Sequence, residues 1–410
     1  MSENVKLARR NMPVLAIIKE RFSKELPFKG VHIAMALHVT KETAVLVETL
    51  VEGGATIAIA SCNPLSTQDD VSEYLKTLPK VKCYAHKGMN DKEYWDALDS
   101  VCTSAEDHDV VYTIDDGCDL VTLFHTKHKH LLSKVKGGCE ETTTGIIRLK
   151  AMLKNKELKF PVVAVNDLDT KHLMDNYYGT GQSTIDGIIR ATNTLFAGKA
   201  VAVAGYGNCG KGVAMRAKGL GAKVYITEVD PFKALQAHMD GFDVEMMGEV
   251  AFIGDIFITV TGVCDVITTE HMKHMKDGAI ICNSGHFDSE IQVKEIKENG
   301  WKIERIRPWN DKITIPGNNV YPEKEIYLLG EGRLVNLACA EGHPSDVMDM
   351  SFAGQALACK YICQNKNLEV SLINLNEMLD QDISRLKLSS YSIGIDKLSE
   401  KQLEYINKGL

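Results

Sequence analysis

From about residue 28 the chain alternates short β-branched runs with helix-period segments, and it does so in two series. This order restricts the fold more than any other feature, because parallel neighbours in a sheet need a crossover helix between them. The first series comprises VHIAMALH (31–38), TIAIASCN (56–63), VKCYAH (81–86), VVYTIDD (110–116) and PVVAVN (161–166). Between the first two lies KETAVLVETLVEGG, whose Ala44, Val47 and Val51 share a helical face and whose Gly53 and Gly54 end the helix. The second series opens at KAVAVAGYG (199–207) and continues through KVYITEVD, IGDIFITVTG, DGAIICNSGH and EIYLLGEGRLVNL. After His343 the strands are expected to cease, and MDMSFAGQALACKYICQN (348–365) reads as a long apolar helix. The expected fold class is α/β, with two doubly wound parallel-sheet, Rossmann-like domains, one inserted in the other. Residues 1–181 and 344–397 would form the outer domain, 182–343 the inserted one, and 398–410 a short C-terminal tail.

At 410 residues the chain has ample core for two such domains. Its 44% hydrophobic and 25% charged residues exclude disorder and fibres. Lys+Arg 47 against Asp+Glu 55 leaves −8, with no basic footprint for nucleic acid. No apolar stretch is long enough to span a membrane. Eleven scattered cysteines, without CxxC, suit reduced thiols and a cytoplasmic protein. Cys359 and Cys363 read as one buried helix face, and no metal is expected.

Gly205-Tyr-Gly207-Asn-Cys-Gly210 follows a β-run and opens the helical segment KGVAMRAKGLGA. Such a motif serves a tight turn, close backbone approach to a pyrophosphate, and close packing of helix on strand. The helix N-terminus then meets the anion. Glu228, 18 residues after Gly210, ends the next strand, where a carboxylate can bind a ribose diol and repel the extra phosphate of NADP, so NAD is favoured. Gly205 to Lys211 also matches the P-loop spacing, but the next residue is Gly212 instead of the Ser or Thr that holds magnesium.

Ligands of open α/β sheets bind beyond the carboxyl ends of the strands, which here carry His38, Asn63, Asp116, Asn166, Glu228, His286 and Asn336. Singly, each polar residue also has a structural reading. Thr40 can cap its helix and Glu42 can complement the dipole. Asp115, Asp116 and Asp119 can hold a divalent metal. Lys171 and Asp175 form, by default, an exposed i,i+4 ion pair. His125, His128 and His130 read as a solvated surface, and His343 as a loop residue.

As a set these residues point further. LHVTKETAVLVETL, CNPLSTQDDV, IDDGCDL, EETTTGIIRLK, VNDLDTKHLMDN, YGTGQS, VAGYGNCGKG, TEVDP, NSGHFD, EGRLVNLACAEGHPS and MDMSF strongly resemble the S-adenosylhomocysteine hydrolase family, from about residue 8 to 407. The resemblance implies a bound NAD+ that transiently oxidises the 3′-hydroxyl of the adenosyl ribose, so that the C4′ proton can leave, homocysteine is eliminated from C5′, and water adds before the hydroxyl is restored. It also assigns the residues. Lys171, polarised by Asp175, falls at the 3′-hydroxyl, Glu141 on the ribose hydroxyls, and Asn166 and Asn176 beside them. Asp116 takes the C4′ proton, and His38 and His286 serve C5′. Thr142, Thr143 and Thr144 meet the nicotinamide half, Gly205, Gly207 and Gly210 the pyrophosphate, Glu228 the ribose and Asn336 the carboxamide. Thr40 and Glu42 meet the adenine edge, with His343 and Met348 closing the pocket. A homotetramer is implied as well.

Two features depart from most relatives. Thr180 replaces a cysteine common near the nicotinamide, and the ending KQLEYINKGL resembles the short form of archaeal and some thermophilic bacterial members. Glu42 and Thr40 suit adenine's N6 donor and N1 acceptor, whereas a reader of hypoxanthine should carry a cation near position 42. An inosyl version of the reaction, or a simple NAD-dependent dehydrogenase, are the alternatives.

Overall fold

The computed structural model describes residues 2–286, 288–318 and 321–408. Among these, a seven-stranded sheet runs in the order Leu372–Ile373, Val162–Ala164, Val135–Glu140, Val111–Asp115, His32–Ala36, Thr56–Ala60, Val81–Cys83, and each of its neighbouring pairs is parallel. An eight-stranded sheet runs Lys302–Arg307, Asn310–Ile315, Lys324–Leu329, Ile280–Asn283, Ile256–Thr259, Ala200–Ala204, Lys223–Thr227, Asp243–Val244. Every strand called from the β-runs is present, and the class is α/β as expected.

Five strands were not foreseen; Asp243–Val244 is only two residues long, and each of the other four has its own physical reason. Val135–Glu140 contains Gly137 and Gly138, residues that weaken any strand signal. Here they make room. A Cβ on Gly137 would lie 2.4 Å from Ile362 Cδ1, and one on Gly138 would lie 2.1 Å from Thr113 Oγ1. Lys302–Arg307 and Asn310–Ile315 form an antiparallel hairpin at the sheet edge, half exposed and rich in charge, so the second sheet is mixed and not wholly parallel. The strands do not cease after His343 either, since Leu372–Ile373 pairs in parallel with Val162–Val163. Two residues are too short to leave a periodic trace.

The predicted apolar helix spans Ser345–Gln364 and lies on the first sheet. Its Asp349, fully buried, accepts the amides of Val14 (3.1 Å) and Leu15 (2.9 Å) at the start of helix Pro13–Glu25, and the Lys387 ammonium at 2.9 Å. Asp380, on helix Asn376–Ser390, similarly accepts the amides of Asp169 and Thr170, each at 2.8 Å. These buried carboxylates satisfy helix ends that would otherwise carry unpaired donors, and they fasten both chain termini to the first sheet.

Each sheet has a switch point where successive connections leave in opposite directions. In the first, His32–Ala36 lies between Thr56–Ala60 and Val111–Asp115; in the second, Ala200–Ala204 lies between Lys223–Thr227 and Ile256–Thr259. Crevices at such points take ligands. His38 and Asp116 stand just beyond the first, and the Gly205 turn just beyond the second.

Candidate active site

One cleft of about 1340 Å³ is lined from both sheets, with His38, Asp116 and Lys171 on one side and Gly205, Glu228 and Asn336 on the other. Typical ligand pockets measure ~300–1,000 Å³, so this one has room for a dinucleotide together with a second molecule.

On the second sheet, Gly205 adopts φ +103°, a left-handed conformation that a side chain would strain. A Cβ at Gly210 would fall 1.9 Å from the Gly205 carbonyl oxygen, whereas one at Gly207 would meet open space. The turn and helix start are therefore compressed to backbone contact, with Gly207 on the open side. The Glu228 carboxylate accepts the amides of Tyr206 (2.8 Å), Val229 (2.8 Å) and Asp230 (3.1 Å), which fixes it at the end of Lys223–Thr227. Asn336 donates to Ser183 Oγ and to His343 Nε2, each at 3.3 Å, while its buried Oδ1 has no hydrogen-bond partner among the described residues. An unpaired acceptor inside a polar cleft calls for a donor such as a carboxamide NH₂. These features fit NAD.

The first sheet supplies the titratable groups. Lys171, on the short helix Asp169–His172, and Asp175, which opens the π-type turn Asp175–Gly179, are paired at 3.1 Å. The pair is buried and not the exposed pair expected by default. Lys171 Nζ also donates to Asn176 Oδ1 (3.0 Å) and Asn166 Oδ1 (3.4 Å) and lies 3.8 Å from Glu141. Burial works against its charge, but Asp175, Glu141 and Asp116 outweigh that and hold its pKa above the usual lysine value. Burial likewise pushes Asp175 up, yet Lys171 and His343 bring it well below the ordinary carboxylate range. Glu141 responds in the opposite sense. Burial lifts it to about 7 despite Lys171, and Ser351 Oγ and Gln355 Nε2 donate to its two oxygens at 2.5 Å. Thr143 Oγ1 donates to Asn166 Oδ1 at 3.3 Å, and Thr142 and Thr144 line the same wall.

At the switch point His38 Nε2 lies 3.5 Å from Asp116 Oδ2, and His286 Nδ1 lies 3.8 Å from Asp116 Oδ1. Burial lowers His38 to about 4 despite the attraction of Asp116, so its imidazole is neutral at pH 7. His343 is no bystander of its loop, since Nδ1 pairs with Asp175 Oδ1 and Nε2 reaches Thr180 Oγ1 at 3.2 Å. Thr40 occupies the N-cap position of helix Lys41–Glu52, but its side chain makes no capping bond. Glu42 is buried and accepts Ser345 Oγ at 2.5 Å, and Met348 lines the cleft nearby.

Other readings are corrected. Asp115, Asp116 and Asp119 do not converge on a cation: Asp115 accepts the amides of Asp116 and Val121, while Asp119 binds Arg148 and the Tyr94 hydroxyl. His125 and His128 are buried instead of solvated, the first between the Val121 carbonyl and the Lys159 amide, the second on Asp99; His130 is exposed. Several supporting residues escaped the sequence reading. Glu140, whose pKa burial raises far above normal, accepts the amides of Gly117 and Thr142, and Glu290 accepts those of Thr261 and Gly262 on the cleft wall. A carboxylate that binds distant amides leaves no local pattern to read. Cys209 places a thiol 3.6 Å from Thr180 Oγ1, so the cleft keeps a thiol beside the position where the expected cysteine is missing.

Comparison with known proteins agrees with this geometry. The family models described as "S-adenosyl-L-homocysteine hydrolase" and "S-adenosyl-L-homocysteine hydrolase, NAD binding domain" match residues 2–130 and 176–342. The S-inosyl-L-homocysteine hydrolase of Methanocaldococcus jannaschii is 56% identical over 403 residues, covering 98% of this chain and 94% of that one. The adenosylhomocysteinase of Saccharolobus solfataricus is 51% identical over 407 residues, covering 99% and 95%. That of Archaeoglobus fulgidus is 52% identical over 404 residues, covering 98% and 97%. The chain is therefore an NAD-dependent hydrolase that belongs to the S-adenosyl-L-homocysteine hydrolase family.

Proposed function

We propose that this chain hydrolyses S-adenosyl-L-homocysteine reversibly to adenosine and L-homocysteine. The observation that carries the choice of base is the pair Thr40 and Glu42 at the cleft wall. Relatives named for adenosyl and for inosyl substrates match at similar identity, 52% and 53% for example, so overall likeness cannot choose between the bases. The pocket can. Glu42 accepts from an exocyclic amine, and Thr40, free of capping duty, donates to N1. Hypoxanthine would set its O6 against the Glu42 carboxylate, leaving a buried acceptor facing an acceptor.

NAD+, when bound, supplies transient oxidation at the 3′-carbon of the ribose. Gly205, Gly207 and Gly210 would hold its pyrophosphate, Glu228 its ribose, and Asn336 with Thr142, Thr143 and Thr144 its nicotinamide half. Lys171 stands at the 3′-hydroxyl as the proton-transfer group. Glu141, 3.8 Å away, faces the same ammonium and the ribose hydroxyls beside it. Asp175, Asn166 and Asn176 fix the lysine's direction. Asp116 takes the C4′ proton, and His38 and His286 flank it to serve the leaving sulfur and the incoming water. His38, neutral by burial, is ready to accept a proton from that water. His343 and Met348 close the adenine pocket.

The same reading extends to organisation. Residues 1–181 and 344–397 carry the substrate side, 182–343 the NAD side, and 398–410 a tail. Helix Glu400–Lys408 buries none of its residues and, with the segment before it, exposes Ile393, Ile395, Leu398, Leu403, Tyr405 and Ile406, which supports a homo-oligomer. Eleven cysteines free of disulfides suit the cytoplasm; among the described residues no helix is long and apolar enough to cross a membrane. The test is to incubate the purified protein with S-adenosylhomocysteine and S-inosylhomocysteine separately and follow thiol and nucleoside. Release from the first at much the higher kcat/KM is expected; preference for the second overturns the reading of Thr40 and Glu42.

A further inference from the structure

Asp115 and Glu140 end neighbouring parallel strands, and the register sets them level with each other. Both are fully buried. Asp115 accepts the amide of Asp116 at 3.0 Å, and Glu140 Oε1 accepts the next amide, that of Gly117, at 2.9 Å. The same Glu140 oxygen accepts the amide of Thr142 at 3.1 Å, at the N-cap of helix Thr143–Lys154. That helix makes room for the acid, since a Cβ on Gly145 would lie 2.1 Å from Glu140 Cδ. Arg148, one turn further along, donates to the Gly117 carbonyl oxygen at 2.5 Å, and a Cβ on Gly117 would lie 2.6 Å from His286 Nε2. A turn packed this closely transmits any shift of Glu140 to Asp116. Glu140 Oε2 is buried and has no hydrogen-bond partner among the described residues. An ionised carboxylate with one oxygen bare is costly to bury. Burial, with the charges of Asp115 and Asp116, outweighs the amides that Glu140 accepts and keeps it a neutral acid.

We propose that Glu140 is a positioning residue for proton removal at C4′: from one oxygen it suspends the Asp116 turn and the start of helix Thr143–Lys154 together. The base thereby keeps a fixed place relative to the cleft wall that Thr142 and Thr143 form. An uncharged acyl oxygen is enough for this task, and Glu140 exchanges no proton with the substrate. The proposal rests on the role given above to Asp116, whereas the suspension of the two segments does not.

Holoenzyme with adenosine in deuterium oxide reads the step, because C4′ hydrogen exchange, followed by mass spectrometry, can be set against bound NADH, followed by absorbance. Glu140→Leu loses the acceptor, and Glu140→Asp is too short to reach both amides. Each should slow exchange per reduced cofactor by about tenfold or more, the scale of a small misplacement of a reacting group. Glu140→Gln, which keeps the acceptor without a charge, should restore exchange to near the native rate. In the same holoenzymes without adenosine, the amides of Gly117 and Thr142 should lose protection from solvent exchange in Glu140→Leu and Glu140→Asp and keep it in Glu140→Gln. Glu140→Asp carries the comparison should the leucine variant not fold. Native C4′ exchange in Glu140→Asp, or slowing in Glu140→Gln equal to that in Glu140→Asp, overturns the proposal. Asp116→Asn separates this from the role of the base: native exchange in that variant removes Asp116 as the base and the positioning with it. Slow exchange in Asp116→Asn beside native exchange in Glu140→Asp removes the positioning alone.

Discussion

A buried carboxylate beside an ammonium is held in place by geometry and tuned by everything else around it, and Glu141 shows the result. Its folded pKa of about 7 exceeds the ordinary 4.5, because burial outweighs Lys171 and two further carboxylates oppose it. The folded protein therefore binds more protons than the unfolded chain between those two values. Stability from this group falls as pH rises from about 4.5 to about 7 and is level above. Relative to the native protein, Glu141→Gln should gain about 3 kcal/mol across that window, at 1.36 kcal/mol per pKa unit. Denaturant melts of the ligand-free proteins at pH 5 and pH 7.5 measure the difference; a constant gap would show that Glu141 ionises normally. Base selectivity belongs to the same scale. Thr40→Glu with Glu42→Lys should invert the ratio of kcat/KM from adenosyl toward inosyl substrate, since O6 would then meet a donor and N1–H an acceptor. Because Thr40 makes no capping bond, its loss as a cap costs little. A ratio that stays put while stability falls would return both residues to a structural role.

At the scale of elements, what could be read was whatever repeats locally. The parallel strands with β-branched alternation, the glycine turn and the helix after His343 all have local signatures, and the structure contains them. The strand Val135–Glu140 was silent because its glycines are selected by contacts with Ile362 and Thr113, far away in sequence. His125 was misread and Glu140 missed for the same reason, both being bound to backbone groups of other segments. Gly212 is the converse case, a local oddity that the structure explains. It stands where a P-loop needs Ser or Thr, and a Cβ there would lie 1.9 Å from the Tyr177 carbonyl oxygen. Its own carbonyl in turn lies 2.6 Å from where a Cβ of Gly181 would be, so helices Asn208–Gly219 and Thr180–Thr192 touch backbone to backbone. Gly212→Ser completes the P-loop spacing yet should create no affinity for ATP–magnesium. It should instead destabilise by ~1–3 kcal/mol through overpacking. Calorimetry with ATP and urea melts check the two halves, and tight ATP binding with unchanged stability would refute the packing argument.

For the whole molecule, the decisive arrangement is that two switch points, each a modest polar crevice alone, open onto one cleft. The second sheet contributes compressed glycines, an anchored carboxylate at Glu228 and an unpaired acceptor at Asn336; the first contributes Lys171, Asp116 and their partners. A dinucleotide held by Gly205, Glu228 and Asn336 would lie in the same cleft as Lys171 and Asp116, so the cofactor need not leave for the chemistry to finish. Glu228→Ala removes one anchor and should weaken NAD binding by ~1–3 kcal/mol, as for hydrogen bonds to a charged group; unchanged affinity by calorimetry would remove Glu228 from the site. Retention has a sharper consequence for turnover. One equivalent of NAD+ per chain should support many rounds of thiol release with no net NADH, because every oxidation at the 3′-carbon is reversed before product departs. An ordinary dehydrogenase on the same two sheets would have to release oxidised product and accumulate NADH in step with it. Following absorbance of the reduced cofactor beside thiol release separates the two, and accumulation matching product would overturn hydrolysis while leaving the fold and the cleft as they are.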